Sequence, residues 1–364
     1  MSRIIIDARE SGTSSGRYVD KMIEYLHKLH TQHEIILLAR HQRVVFLHSI
    51  APRFKIIETS SKEFTISEQF GFRKQLKSLK ADLVHFPFVQ QPIWYHGRVV
   101  TTIQDLTTLR FKNPTKNPVV FTIKQYIYGW VNKIAARKSL VVLTPTSFVK
   151  NDVIAYAHID PAKITVTYEA ADKISDQPIP VTPLIGKQFI MYVGRPMPHK
   201  NLARLIQAFA LLQQDFPDLC LVLAGKKDLL YEQHARTIAK QGIKNVIFTG
   251  FVSDGELRWL YEHTACYVFP SLSEGFGLPG LEAMAHGAPV ASSNATCLPE
   301  VHGNAVVYFD PYDSGAVAQA IHEVLTNKEL AKSMREKGYE QVSKYSWERM
   351  ARQTLDAYNK ALTL

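Results

Sequence analysis

The sequence predicts an α/β protein made of two doubly wound parallel sheets, one following the other. Short β-rich runs alternate with helical stretches along 364 residues, a length beyond the usual single core. Strands that alternate with helices imply a mostly parallel sheet covered on both faces. The alternation breaks once, at KISDQPIPVTPLIG (residues 173–186), where three prolines displace periodic apolar residues, and then it restarts.

Before the break the strand candidates are RIIIDAR, EIILLAR, FKIIET, LVHF, RVVTTIQ, SLVVLT and KITVTY. Between them, GRYVDKMIEYLHKL and IKQYIYGWVNKIAARKS carry helical periodicity. After it come FIMYVG, LCLVLAG, NVIFTGF, CYVFPS, PVASSN and AVVYFD, again separated by helices. The closing WERMARQTLDAYNKAL is one more amphipathic helix. The expected organisation is a Rossmann-like domain at 1–172, a linker at 173–186, a second such domain at 187–345, and a terminal helix at 346–364. A cleft between the two domains is expected, and in such sheets ligands bind beyond the carboxyl ends of the strands.

An apolar fraction of 46% with 21% charged residues is that of an ordinary globular protein. No apolar run approaches the roughly 18 residues a bilayer span needs. The start, MSRIIIDARE, reads as a strand and not as a signal peptide, so a cytoplasmic location is expected. Cys220, Cys266 and Cys297 lack metal-ligand spacing; an odd, sparse set suggests reduced thiols acting as small buried hydrophobes. The net charge of +10 has a definite location: residues 1–182 hold 25 Lys and Arg against 15 Asp and Glu, and the remainder holds 18 of each. A basic first half suits an anionic membrane surface, a phosphorylated acceptor or nucleic acid, as well as a merely basic soluble surface. Against nucleic acid, there is no aromatic-interleaved basic stripe and no recognition motif.

Four stretches carry chemistry. SEGFGLPGLEAM (273–284) lies just past the strand CYVFPS. Pro279 suits a first helical turn, which places Glu274 on the loop and Glu282 within the helix that Gly287 ends. Gly275 and Gly277 would let backbone N–H groups approach an anion near the helix N-terminus. Capping and dipole complement explain Glu282 as well, but leave Glu274 without a role. In FIMYVGRPMPHKN, Arg195 and Lys200 bracket a turn after a strand; a planar fork and a mobile point charge together suit a diphosphate, or form a plain basic surface. In ESGTSSGRYVDK, Gly12 and Gly16 form a glycine-poor phosphate loop or simply a tight turn, and no G-x-G-x-x-G is present. In TIQDLTTLRF, Gln104 and Asp105 end the fifth strand and are expected to face the cleft as candidate catalytic residues, with Asp105 also placed to cap the next segment.

With these stretches together the chain resembles the retaining glycosyltransferases of family 4, which have the two-domain GT-B fold. The resemblance runs nearly end to end and centres on Glu274 and Glu282 within SLSEGFGLPGLEAMAHGAPV, supported by VGRPMPHKN, LPEVHGNAVVYFDPYD and SWERMARQTL. It implies that Glu274 binds donor-sugar hydroxyls, helped by backbone N–H groups of Phe276, Gly277 and Leu278. Glu282 would hold the ribose and Arg195 with Lys200 the diphosphate. Gly12 or Gly16 would give close approach, and Phe251 and Val252 would meet the base. The last helix would cross back onto the N-terminal domain, and no metal is implied, because the two cations replace it. Many relatives read His-Asp-Leu where this chain has Gln104-Asp105-Leu106; Gln104 exchanges hydrogen bonds but does not titrate near neutral pH.

The expected activity is retaining, metal-independent transfer of a hexose, mannose or glucose, by front-face displacement. The donor would be GDP-mannose, UDP-glucose or ADP-glucose, and the acceptor a saccharide or a lipid-linked sugar. Peripheral contact with an anionic membrane through the basic half, for instance RKQLKSLK (73–80) or KIAARKS (133–139), would suit the latter. The alternatives are a nucleotide-sugar epimerase of the same architecture and a non-catalytic binder of anionic polymers.

Overall fold

The computed structural model describes residues 1–13, 16–63 and 65–364. Its contacts divide the chain into two compact units. The first takes in Met1–Leu109, Ile123–Glu169 and Ser346–Leu364; the second takes in Arg110–Thr122 and Ala170–Tyr345.

In the first unit the seven runs form strands β1 (Arg3–Asp7), β2 (Glu34–Ala39), β3 (Lys55–Glu58), β4 (Leu83–Phe86), β5 (Val99–Thr102), β6 (Val141–Thr144) and β7 (Ile164–Val166). They make one sheet in the order β3-β2-β1-β4-β5-β6-β7, with every neighbouring pair parallel. Helices cover both faces, so the inner strands β2, β1, β4, β5 and β6 are buried almost throughout, whereas the edge strands β3 and β7 are partly exposed. His85 is the polar exception within β4. Burial lowers its pKa to about 3, and the neutral ring is held on both sides, Nδ1 by Tyr358 Oη at 2.7 Å and Nε2 by Thr102 Oγ1 at 2.9 Å. Tyr358 belongs to the last helix, Trp347–Thr363, which Ser346 caps and which packs on this sheet.

The second unit contains β8 (Phe189–Val193), β9 (Cys220–Ala224), β10 (Val246–Gly250), β11 (Cys266–Phe269), β12 (Val290–Ser293) and β13 (Val307–Phe309). They form a parallel sheet in the order β10-β9-β8-β11-β12-β13. Counted from its own first strand, this is 3-2-1-4-5-6, with a switch point between β8 and β11, the place at the carboxyl edge where sheets of this order take ligands. The core beneath combines Ile190, Leu221, Leu223 and Val268 with Leu205 and Phe209 of helix Leu202–Leu212.

The proline-rich stretch 173–186 is mostly extended and contains a short turn at Thr182–Leu184. Two of its donors find partners in the second unit, Ile174 N–H on His286 Nε2 at 3.0 Å and Ile179 N–H on Gly255 O at 3.0 Å. All three cysteines are free and buried. Among the described residues no helix is long and apolar enough to cross a membrane.

Candidate functional site

The switch point gathers two of the chemical stretches. The segment after β8 carries Arg195 and Lys200; the segment after β11 carries Glu274. Lys200 Nζ donates to Glu274 Oε1 at 2.6 Å, with side-chain exposures of only 21% and 11%. The two segments are also joined through backbone: Leu272 N–H donates to His199 O at 2.7 Å, and Asn201 Nδ2 donates to Pro270 O at 3.0 Å. Asn201 takes a left-handed φ of 60° and bonds Pro311 O at 2.7 Å as well, so it clamps three strand-end loops before opening its helix. Burial, with the Lys200 charge adding to it, lowers the neighbouring His199 to about 4, so its ring is neutral at pH 7.

Glu274 is positioned from behind by the loop after β12. Its N–H donates to Thr296 Oγ1 at 3.2 Å, and the Cys297 thiol donates to its carbonyl at 3.3 Å. Burial raises the Cys297 pKa well above the ordinary thiol value, so the S–H donor persists at neutral pH. Helix Leu278–Ala285 follows, with Gly277 as N-cap at φ 98° and Pro279 in its first turn. Of the two loop glycines, Gly277 alone has a positive φ, and a Cβ there would lie 2.8 Å from Leu298 Cδ2. The Phe276 side chain is buried, edge-on to Tyr345. The Phe276 side chain is thus spent on packing, and what it can offer a ligand is its backbone. Four residues into this helix, Glu282 Oε2 accepts from Tyr261 Oη at 3.4 Å.

Arg195 is 64% exposed and its Nε donates to Asp228 Oδ2 at 3.0 Å. Asp228 lies in the loop after β9, and its other oxygen caps helix Leu229–Gln241 through the N–H groups of Leu230 and Tyr231. Phe251, beyond β10, is 86% exposed and Val252 is half-buried. Arg195, Lys200, Asp228, Phe251 and Glu274 thus all follow the carboxyl ends of strands of the second sheet. Each cation is already matched to a carboxylate, so an incoming dianion must compete for them. Among the described residues, no three His, Cys, Asp or Glu side chains gather as a metal ion would require.

The remaining predicted residues belong to the first unit. Gln104 and Asp105 follow β5. Asp105 Oδ1 accepts Thr107 N–H at 2.7 Å, the capping arrangement, ahead of helix Thr107–Arg110. Gln104 lies beside Glu169, which is 4% exposed. Gly12 has φ 77° and leaves no room for a Cβ, which would meet the Arg43 guanidinium at 2.7 Å; at Gly16 it would meet Glu10 O at 2.1 Å. Gly16 is therefore demanded by the backbone of its own loop and Gly12 by its left-handed φ, since the Arg43 side chain can give way. Ser14 and Ser15 of the same stretch lie outside the described residues.

Residues 179–341 match the family described as glycosyl transferases group 1, and residues 15–173 match glycosyltransferase family 4. The chain belongs to the group 1, family 4 glycosyltransferases. Among curated relatives of this glycosyltransferase, O-antigen chain mannosyltransferase B of Escherichia coli is 32% identical over 234 residues, 60% of each chain. The serotype-specific mannosyltransferase WbdA of Escherichia coli is 36% identical over 182 residues, 48% of this chain and 22% of WbdA. The chain thus spans 60% and 22% of the length of these two relatives. Two solved structures superpose over 99% of the chain. Anabaena HepE in complex with UDP and glucose has a TM-score of 0.75 at 16% identity, covering 100% of that chain. Sucrose-phosphate synthase from Thermosynechococcus elongatus has 0.74 at 18%, covering 98%. The fold is GT-B.

Three residues that hold the Arg195, Lys200 and Glu274 segments in the second unit, and Glu169 beside Gln104 in the first, carry no motif. Asp228 and Asn201 look like an ordinary cap and an ordinary helix start. Cys297 reads as a small hydrophobe. Glu169, in TVTYEAAD, belongs to no recognised pattern. Its position just beyond the seventh strand, at a carboxyl edge, is the only sequence signal it gives.

Proposed function

We propose that this glycosyltransferase moves a hexose from a nucleoside-diphosphate sugar to a saccharide or lipid-linked acceptor, with retention and without a metal ion. The observation that carries the reading is the Lys200–Glu274 pair at the switch point of the second sheet. A carboxylate there accepts sugar hydroxyls, and the ammonium bonded to it stands ready for the phosphate next to that sugar. Lys200 and Arg195 would grip the diphosphate, Glu282 the ribose, and the exposed Phe251 with Val252 the base. Backbone N–H groups of Phe276, Gly277 and Leu278 would add donors at a helix N-terminus.

In the reaction the bond between the anomeric carbon and the phosphate oxygen breaks, and the electron pair leaves with the diphosphate. Lys200 and Arg195 would stabilise that charge as it develops. The acceptor hydroxyl would attack from the face the leaving group departs and pass its proton to the departing phosphate oxygen. Asp105, engaged with Thr107 N–H, has no part as a nucleophile in this scheme; Gln104 would contact the sugar. Gly12 or Gly16 would let the first loop approach the diphosphate.

Mannose leads as the sugar, from GDP-mannose, because the curated relatives are named mannosyltransferases. UDP-glucose follows, because HepE was solved with UDP-glucose, and ADP-glucose completes the set. A lipid-linked acceptor would go with a cytoplasmic protein touching the inner membrane face through its basic first half. Calorimetric titration with GDP, UDP and ADP in the presence of a chelator tests the core of this. Binding of one nucleotide, abolished by Glu282→Ala, is the expected result. No binding of any nucleotide would remove the assigned roles of Arg195, Lys200 and Glu282.

A further inference from the structure

Helix Pro118–Lys138 is turned inside out. Its buried positions are Gly129, Asn132, Ala135 and Ala136, whereas Ile123, Tyr126, Ile127 and Trp130 are 56%, 78%, 55% and 55% exposed. At about 100° per residue those four fall within one arc of roughly 100°. Isolated exposed apolar side chains need no explanation, but a contiguous stripe marks an interaction surface.

The charge around the stripe identifies its partner. From Asp105 to Asp152 the chain has no intervening carboxylate and eight Lys and Arg. Lys124 stands exposed at the margin of the stripe, and Lys133 and Arg137 continue its line along the helix. A second copy of the chain would oppose cation to cation across this face. An anionic lipid surface complements it: headgroup phosphates take the lysines, the apolar side chains reach the acyl boundary, and Trp and Tyr sit at headgroup depth.

We propose that the face of helix Pro118–Lys138 formed by Ile123, Tyr126, Ile127 and Trp130 is a docking surface for an anionic bilayer, with the helix lying in the plane of the interface. This gives a location to the peripheral membrane contact proposed above, and it rests on that reading.

The test is co-sedimentation of the full chain with vesicles of phosphatidylglycerol and phosphatidylcholine in equal parts, and with phosphatidylcholine alone. Nucleotide titration of the same preparations runs alongside. The wild type is expected to sediment with the anionic vesicles, less so as salt rises, and weakly with the neutral ones. Tyr126→Ser combined with Trp130→Ser should weaken that partition at least about tenfold, and Lys124→Glu several-fold, both with nucleotide affinity and circular dichroism unchanged. The proposal is overturned if the wild type ignores anionic vesicles or if the double variant sediments as well as the wild type. It also falls if the wild type elutes as a dimer that the double variant abolishes while neither binds vesicles. Loss of nucleotide binding in every preparation, with vesicle binding intact, would instead count against the transferase chemistry and leave the docking surface standing.

Discussion

Replacing Glu169 by Gln should stabilise the first unit at alkaline pH and do little in acid. Glu169 is buried, and burial raises its pKa from 4.5 to about 7 against the opposing pull of Arg17 and of the neighbouring Gln104 side chain. Between those values the native state holds a proton that the unfolded chain has released. The unfolding free energy therefore falls as pH rises through that window. The difference, about 2.5 units at about 1.36 kcal/mol each, comes to about 3 kcal/mol. Glutamine keeps the neutral shape and never ionises. The variant should then exceed the wild type by up to about 3 kcal/mol near pH 8 and by less than about 1 kcal/mol near pH 5. Urea denaturation followed by tryptophan fluorescence reads this out, since Trp94, Trp130 and Trp347 all lie in the first unit. A difference independent of pH, or one that grows toward acid, would refute a buried carboxyl titrating near neutrality.

Lys200→Met strands the partly buried Glu274 carboxylate, which should cost about 1–3 kcal/mol of stability, below the full buried-pair value because both groups retain some solvent. Adding Glu274→Gln should restore stability but not nucleotide affinity in calorimetry; recovery of both would show that the pair is only structural. Asn201→Ala removes two buried hydrogen bonds at a left-handed position and should cost about 3 kcal/mol in thermal or urea unfolding. Asn201→Gly should recover the backbone share alone. Gly277→Ala places a methyl against Leu298 at φ 98°, so a loss of about 1–3 kcal/mol together with weakened nucleotide binding is expected. Gln104→His should change the ratio of kcat/KM between mannosyl and glucosyl donors more than it changes kcat; a collapse of kcat alone would contradict a positioning role.

Hydrophobic runs and turn residues determined a great deal of this molecule locally. Each β-rich run became a strand, the proline-rich break fell between the two sheets, and SEGFGLP was placed beyond a strand's carboxyl end with Pro279 opening the helix. Such features arise from backbone sterics and from periods of two or 3.6 residues, which act over a few positions and are therefore written in the local text. Strand order is not local. Lys200 and Glu274 are 74 positions apart and touch because β8 and β11 are neighbours at the switch point. Gln104 meets Glu169 because both emerge at the carboxyl edge of the first sheet. The Pro118–Lys138 helix looks like any covered helix until the packing of its Gly129, Asn132 and Ala135 face turns the larger side chains outward. Adjacency of this kind is decided by how crossovers bury whole faces against each other. That is a collective free energy of the packed unit, to which no single stretch of sequence holds the key.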